Sequence, residues 1–382
     1  MSGTLNIAVV GGGPAGLYFA LLTKRDHPRH RVTVFERNPA NSTFGFGVVF
    51  SRRTLEVFRQ TDRLSYEAIL QGAETWDSVD VVHRDERIAV HGNAFAGIER
   101  IHLLHVLQER CRALGVELHF ERPIESLEEL SDADLVLAAD GVGSRLRDQH
   151  PDSFGTRIDA RSNHYIWLGT RHRFEGLTLT FRTVQEGLFI AHSYRFSPSM
   201  STFIVECDRD TFLRAGLEGR PVEDSLRFLE RVFERDLGGE PLDSNLSRWI
   251  QFLIVKNERW YHGRVALAGD AAHTAHFSIG SGTKLAMEDS IALWQALTDV
   301  EDPEKALPLY QERRRPQVEE FQAAAFTSLR WFETAHTRMH LAPIEIAWDL
   351  MTRSGRVDLE SLRRRDPAFI EAHDRFRARR KA

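Results

Sequence analysis

The spacing of apolar residues along the chain switches between two periods. Leu5 to Val10 is an apolar run short enough for a buried strand, Leu17 to Thr23 is the apolar-rich stretch of a following helix, and Arg31 to Phe35 predicts a second strand. Val79, Val81, Ile88 and Val90 alternate around the charged turn Arg84 to Arg87, as strands do. Leu103, Leu104, Leu107, Cys111 and Leu114 then recur at 3.6-residue spacing, predicting a helix opened by Arg100 and stopped by Gly115. Val116 to Phe120 and Leu135 to Ala139 read as further strands. From Ser162 to Cys207 period two dominates: Leu177, Leu179 and Phe181 alternate with Thr178, Thr180 and Arg182, and Phe203 and Val205 follow suit. This predicts an antiparallel sheet inserted into an otherwise strand-and-helix chain. Helical spacing returns at Val222 to Leu237, Thr283 to Leu297 and from Pro303 onward, with the basic run Arg375 to Lys381 expected as a frayed end.

Between the first strand and helix lie Gly11, Gly13, Ala15 and Gly16, which fit the G-x-G-x-x-G turn that admits a dinucleotide pyrophosphate at a helix N-terminus. Glu36, followed by Arg37, ends the second strand where a carboxylate accepts hydrogen bonds from an adenosine ribose. An acid there argues against a ribose 2′-phosphate. The segment Asn38 to Val49, with Pro39, Gly45 and Gly47, is expected to run over the surface close to a ligand. Ser51 caps a helix whose first turn carries Arg52 and Arg53, an unfavourable place for positive charge unless an anion faces it.

Two more apolar strands end in Asp-Gly or Gly-Asp. Asp140-Gly141 leads into Ser144 and Arg147, which reads either as a ligand-facing strand end or as a tight turn with a serine cap. Gly269-Asp270 leads to His273 and then to Gly280-Ser281-Gly282-Thr283, a glycine-opened helix suited to a flavin edge or a pyrophosphate. Asp270 suits ribityl or ribose hydroxyls.

The 382 residues allow two or three domains. A net charge of −5 gives no general attraction to nucleic acid or to an anionic membrane. Two cysteines, Cys111 and Cys207, are too few for a disulfide framework or a cysteine-rich metal site and are expected to be buried thiols. No apolar run is long enough to span a bilayer, the first strand begins within a few residues of the start, and a cytoplasmic location is expected.

Gly11-x-Gly13-x-x-Gly16 with Glu36, Asp140-Gly141 with Ser144 and Arg147, and Gly269-Asp270 with His273 occur in an order that resembles the single-component FAD-dependent aromatic hydroxylases. The resemblance implies an α/β protein: a Rossmann-like FAD-binding domain of the p-hydroxybenzoate hydroxylase type, an inserted antiparallel β-sheet substrate domain and C-terminal helices. The expected boundaries are 1–74, 99–160 and 259–335 for the FAD-binding domain, 75–98 and 161–258 for the sheet, and 336–382 for the helical end. It implies that Arg100 lies along the FAD pyrophosphate, that Asp270 holds the ribityl chain, and that Gly280, Gly282 and Thr283 face the isoalloxazine. Asp140 and Arg147 would touch FAD or NAD(P)H.

The prolines usual after Gly-Asp-Ala-Ala-His are replaced by His276 and Phe277. With Trp167 to Thr170 and Met200 to Cys207, that departure resembles the salicylyl-CoA 5-hydroxylase and anthraniloyl-CoA monooxygenase group, and also the indole-ring hydroxylases of violacein biosynthesis. The implied reaction is ring hydroxylation of an aromatic acyl-CoA, salicylyl-CoA first, by O2 and NADH or NADPH through a C4a-hydroperoxyflavin. A free aromatic or indole-derived substrate, and a non-oxygenating FAD oxidoreductase of the same fold, stay open. Candidate catalytic residues are His192, Tyr194, Arg195 and His276. His192 and Tyr194 fall on one face of their strand, and Ser193 and Arg195 on the other. Arg161, Arg171 and Arg173 are candidates for the phosphates of CoA. A monomer or homodimer is expected, without metal.

Overall fold

The computed structural model describes residues 3–280 and 282–381. Its organising layer is a six-stranded sheet in the order Tyr261–His262, Val265–Leu267, Leu135–Ala138, Asn6–Val10, Arg31–Phe35 and Glu117–His119. All pairings are parallel except the terminal Tyr261–His262 hairpin. Val10 pairs with both Phe35 and Ala138, and Ala138 with Leu267, so these strands finish in step. Parallel strands deliver their carboxyl ends to one edge. Here that edge collects Gly11, Glu36, Asp140 and Asp270 from stretches more than 250 residues apart in sequence. Helices Pro14–Asp26, Arg100–Leu114 and Gly282–Val300 cover the sheet through a core that includes Leu17, Leu21, Leu103, Leu107, Leu293 and Leu297.

The second sheet has the order Leu242–Ser244, Thr156–Thr170, Ser201–Cys207, Gly187–Arg195, Leu177–Val184, Val79–His83 and Glu86–Val90, with Ile250–Asn257 also pairing Thr156–Thr170. It is not wholly antiparallel. Leu177–Val184 runs parallel to Val79–His83, because the latter belongs to an earlier excursion of the chain and is not joined to it by a hairpin. A small sheet of Gly47–Ser51, Phe95–Glu99 and Glu74–Trp76 lies beside both. The end of the segment expected as surface loop is therefore a strand, held by five residue pairs to Phe95–Glu99.

Both cysteines are free and buried. Helix Pro303–Glu333 leads to Pro343–Thr352, Leu359–Arg365 and Pro367–Lys381. The basic tail is not a frayed end: it is helical, and Phe369 and Ile370 anchor it in a core shared with Trp331, Ile346 and Leu350. Among the described residues no helix is long and apolar enough to cross a membrane.

Candidate active site

A cavity of about 1640 Å³ runs from the carboxyl edge of the parallel sheet to the inner face of the second sheet. That exceeds the usual 300–1,000 Å³ of a single small-ligand site and leaves space for a dinucleotide and a second ligand.

At its first end, Gly11, Gly13 and Ala15 line the wall at the N-terminus of helix Pro14–Asp26. Gly11 has φ of +113°, and a Cβ there would lie 2.2 Å from the Ala139 carbonyl oxygen. A Cβ on Gly16 would lie 2.0 Å from the carbonyl oxygen of Gly11, so Gly16 serves the packing of helix on turn and stays off the wall. Gly13, Gly280 and Gly282 have no atom within 4 Å of where a Cβ would stand, and all three border the cavity. Bare backbone facing open space on two sides is a cradle for a flat, phosphate-bearing ligand.

Glu36 accepts the Gly12 N–H at 2.6 Å with one oxygen, and the backbone and side-chain N–H groups of Asn38 with the other. Arg37, Arg53 and Thr283 also reach the wall. Asp140 accepts the Arg145 N–H at 2.9 Å, and burial raises its pKa. Among the described residues the Arg100 guanidinium bonds to two hydroxyls, Thr43 Oγ1 at 3.0 Å and Thr283 Oγ1 at 3.5 Å. Burial lowers its pKa, opposed by the charge of Asp270, so an incoming anion meets a desolvated guanidinium. Asp270 stands on the cavity wall; its pKa is raised by burial, against the lowering effect of His273 and Arg100. These residues fit FAD: cradle, cation and carboxylates able to accept from hydroxyls line one continuous trough.

His273 does not touch the cavity. Its Nε2 lies 2.8 Å from Asp289 Oδ2, which also accepts the Gly269 N–H at 2.9 Å, while Asp289 Oδ1 receives Arg314 Nε at 2.7 Å. This buried knot fixes the loop that presents Asp270.

At the other end the strand Gly187–Arg195 turns His192 and Tyr194 into the cavity, opposite Phe277. Tyr194 donates to the Gly47 carbonyl at 2.9 Å, and burial pushes its pKa up. His192 Nε2 is 2.6 Å from Glu206 Oε1, and Glu206 Oε2 accepts Asn163 Nδ2 at 3.1 Å. Tyr165, Trp167 and Phe252 complete an aromatic wall.

Four expectations are corrected. Arg195 lies on the opposite face of its strand, as period two requires, and is committed to the carbonyls of Phe174, Glu175 and Thr75 and to an ion pair with Glu74 at 2.9 Å. His276 faces a separate small void because its own Nδ1 accepts the Ser278 N–H at 3.3 Å, closing the turn inward; Phe277 alone reaches the cavity. Burial pushes the His276 pKa down to about 4. Arg147 is fully buried, donating to the carbonyls of Ala271 and Val142, and Ser144 accepts the Arg147 N–H; this is the capped-turn alternative, with Asp140 alone of the pair facing the cavity. Arg161 is neutralised by Glu333 at 2.8 Å and Asp159 at 2.7 Å, and Arg173 lies 3.6 Å from Glu74.

Sequence reasoning missed Arg353, Arg356 and Arg365, which line the cavity from the connection between helices Pro343–Thr352 and Leu359–Arg365 and from the end of the latter. It also missed Glu206 as the partner of His192. Alternation along strand Ser201–Cys207 marks Glu206 only as opposite in phase to Phe203 and Val205. Neither its neighbour nor its burial is visible without the strand pairing of His192 with Ile204.

Residues 129–325 match the FAD-binding domain family, and residues 9–53 match the NAD(P)-binding Rossmann-like domain. The chain is 42% identical to salicyloyl-CoA 5-hydroxylase of a Streptomyces species, over 97% of this chain and 73% of the relative. It is 35% identical to protodeoxyviolaceinate monooxygenase of Chromobacterium violaceum, over 89% and 92%. It is 36% identical to 3-hydroxy-4-methyl-anthranilyl-[aryl-carrier protein] 5-monooxygenase of Streptosporangium sibiricum, over 94% and 97%. Among solved structures, 2-methyl-3-hydroxypyridine-5-carboxylic acid oxygenase shares the fold with a TM-score of 0.74 at 20% identity, covering 95% of this chain and 98% of that one.

Proposed function

The chain belongs to the FAD-dependent aromatic monooxygenases that use NAD(P)H, and from that premise we propose that it hydroxylates the ring of a phenolic aromatic acyl-CoA, with salicyloyl-CoA as the first substrate to test. The observation that carries this reading is the aromatic-walled chamber that continues directly from the glycine cradle of Gly280 and Gly282 and contains His192 and Tyr194. Its substrate half is favoured as a thioester site by the printed names of two relatives, one a CoA hydroxylase and one a carrier-protein hydroxylase, each near full coverage of this chain.

Bound FAD, once reduced, supplies the electrophilic oxygen from O2. The chain supplies everything else. Gly13 and Ala15 would bring N–H groups of the helix N-terminus to the pyrophosphate, which the bare backbone of Gly11 lets approach, Arg100 would neutralise it, and Glu36 and Asp270 would hold sugar and ribityl hydroxyls. Tyr165, Trp167, Phe252 and Phe277 orient an aromatic ring by edge and face contacts and exclude water from the reacting carbon.

The test is NADH oxidation by the purified flavoprotein with salicyloyl-CoA, anthraniloyl-CoA, free salicylate and an indole-derived acid. Stoichiometric hydroxylation of the phenolic thioester with little response to the free acids supports the reading. Preference for the indole acid would move the protein to the second type of relative.

A further inference from the structure

The geometry points to His192 as the group that takes the phenolic proton of the substrate, with Glu206 as its positioning residue; this inference rests on the hydroxylase reading above. His192 lines the cavity, whereas Glu206 lies behind it, lining the neighbouring small void. The pair thus spans the wall, with Nε2 held at 2.6 Å from a carboxylate that is 1% exposed. A proton on Nε2 directed at Glu206 leaves the lone pair on Nδ1 for a ligand. The imidazole plane is fixed by Phe277 at 5.3 Å and Phe332 at 4.8 Å between ring centroids.

The charge around the pair suits a base. Burial alone would raise the Glu206 pKa, but the hydrogen bond and charge of His192, the charge of His276 and the hydrogen bond of Asn163 hold it below the usual carboxylate range. Arg353 faces the same cluster from the end of helix Pro343–Thr352, stacked on the other aromatic contact of His192, Phe332, at 5.3 Å. It donates to the Ser328 hydroxyl and to the carbonyls of Leu350 and Ser278, and burial lowers its pKa to about 10. Arg161 lines the same void, already paired with Glu333. Asn163 therefore gives Glu206 a donor and Arg353 a positive charge, and the imidazolium formed at His192 sits against an ionised carboxylate.

The step balances without a further reactant. The phenolic O–H bond breaks, its proton goes to Nδ1 and its electron pair enters the ring. The activated ring carbon forms a C–O bond with the electrophilic oxygen derived from O2, and the pair of the broken O–O bond stays with the other oxygen. The ring proton is lost to the oxygen that kept that pair, which restores aromaticity, and His192 returns its proton to the phenolate oxygen.

The experiment compares the holoenzyme with His192→Gln and Glu206→Gln, using salicyloyl-CoA and, as a ligand without a phenol, benzoyl-CoA. Three quantities are read: the phenolate band in the difference spectrum on binding to the oxidised enzyme, kcat against KM, and the pH profile of kcat. Wild type is expected to show the phenolate band with salicyloyl-CoA and none with benzoyl-CoA. His192→Gln should lose the band and about 100-fold or more in kcat at little change in KM. Glu206→Gln keeps the shape and hydrogen bonds but removes the charge that supports the imidazolium, so the acid limb of its kcat profile should move to lower pH with a smaller fall in kcat. Wild-type turnover with both variants within about twofold of it, or a His192→Gln variant that keeps the phenolate band, overturns the base assignment and leaves the hydroxylase reading intact. Failure of wild type itself to hydroxylate any phenolic thioester defeats the reading beneath it.

Discussion

Tyr194 and Gly47 meet across the two layers of the protein: the tyrosine hydroxyl donates to the glycine carbonyl at 2.9 Å. The N–H of Gly47 is also taken, donating to Thr202 Oγ1 at 3.1 Å, and a Cβ on Gly47 would lie 2.5 Å from the Phe196 Cβ. Tyr194 is thus a stitch between the large sheet and the strand Gly47–Ser51. Tyr194→Phe should leave a buried carbonyl unpaired and cost about 1–3 kcal/mol of stability. It should lower kcat by less than about tenfold, since the hydroxyl is committed and raised in pKa by burial. Chemical denaturation and steady-state turnover on one preparation check both.

Arg100 offers its guanidinium to the cavity with two hydroxyl partners among the described residues. If Arg100 holds the FAD pyrophosphate as proposed, Arg100→Gln removes a charge-assisted contact worth about 1.5–3 kcal/mol, and the Kd for FAD should rise by about 10- to 150-fold. Flavin fluorescence on titration of apoprotein measures it. Thr43→Val, which removes one hydroxyl neighbour of Arg100, should have a smaller effect.

Asp289 ties Gly269, His273 and Arg314 together inside the protein. Burial would raise its pKa, but the charges and hydrogen bonds of His273 and Arg314 bring it below the ordinary value. A group depressed in the folded state contributes stability that is complete above its unfolded pKa, about 3.9, and is lost as pH falls below that through the folded value. The Tm should therefore drop steeply below about pH 4, and Asp289→Asn should flatten this acid limb. At neutral pH the same substitution leaves the buried Arg314 with Glu288, at 3.0 Å, as its remaining carboxylate partner and should cost about 1.5–3 kcal/mol. Thermal unfolding between pH 7 and 3 separates the two effects.

Much of the cofactor end is legible in the residues because it is local. Gly11, Gly13 and Glu36 lie on consecutive elements of one strand-turn-helix-strand unit, and each needs only its own backbone setting to be recognised. Asp140 and Asp270 are legible for the same reason, as polar ends of apolar strands. The substrate end is built otherwise. Glu206 meets His192 only through an antiparallel register, and Arg353 arrives from a C-terminal helix whose spacing says nothing about what it faces. Period two did separate His192 and Tyr194 from Ser193 and Arg195, but not which pair looks inward; a neighbouring sheet decides that. The placing of His276 is not legible in sequence, because one side-chain hydrogen bond, from the Ser278 N–H, turns the loop. Arg147 and Arg161 show the converse, since arginines that look available in sequence are consumed by the Ala271 carbonyl and by Glu333.

The most direct test of the central claim is the isotopic content of the product formed from salicyloyl-CoA and NADH under ¹⁸O₂. One atom of ¹⁸O in each newly hydroxylated ring is the predicted result, since the oxygen comes from O2 held against a ring in the aromatic chamber. A product free of label, or NADH consumed at the same rate without any oxygenated ring, would contradict it.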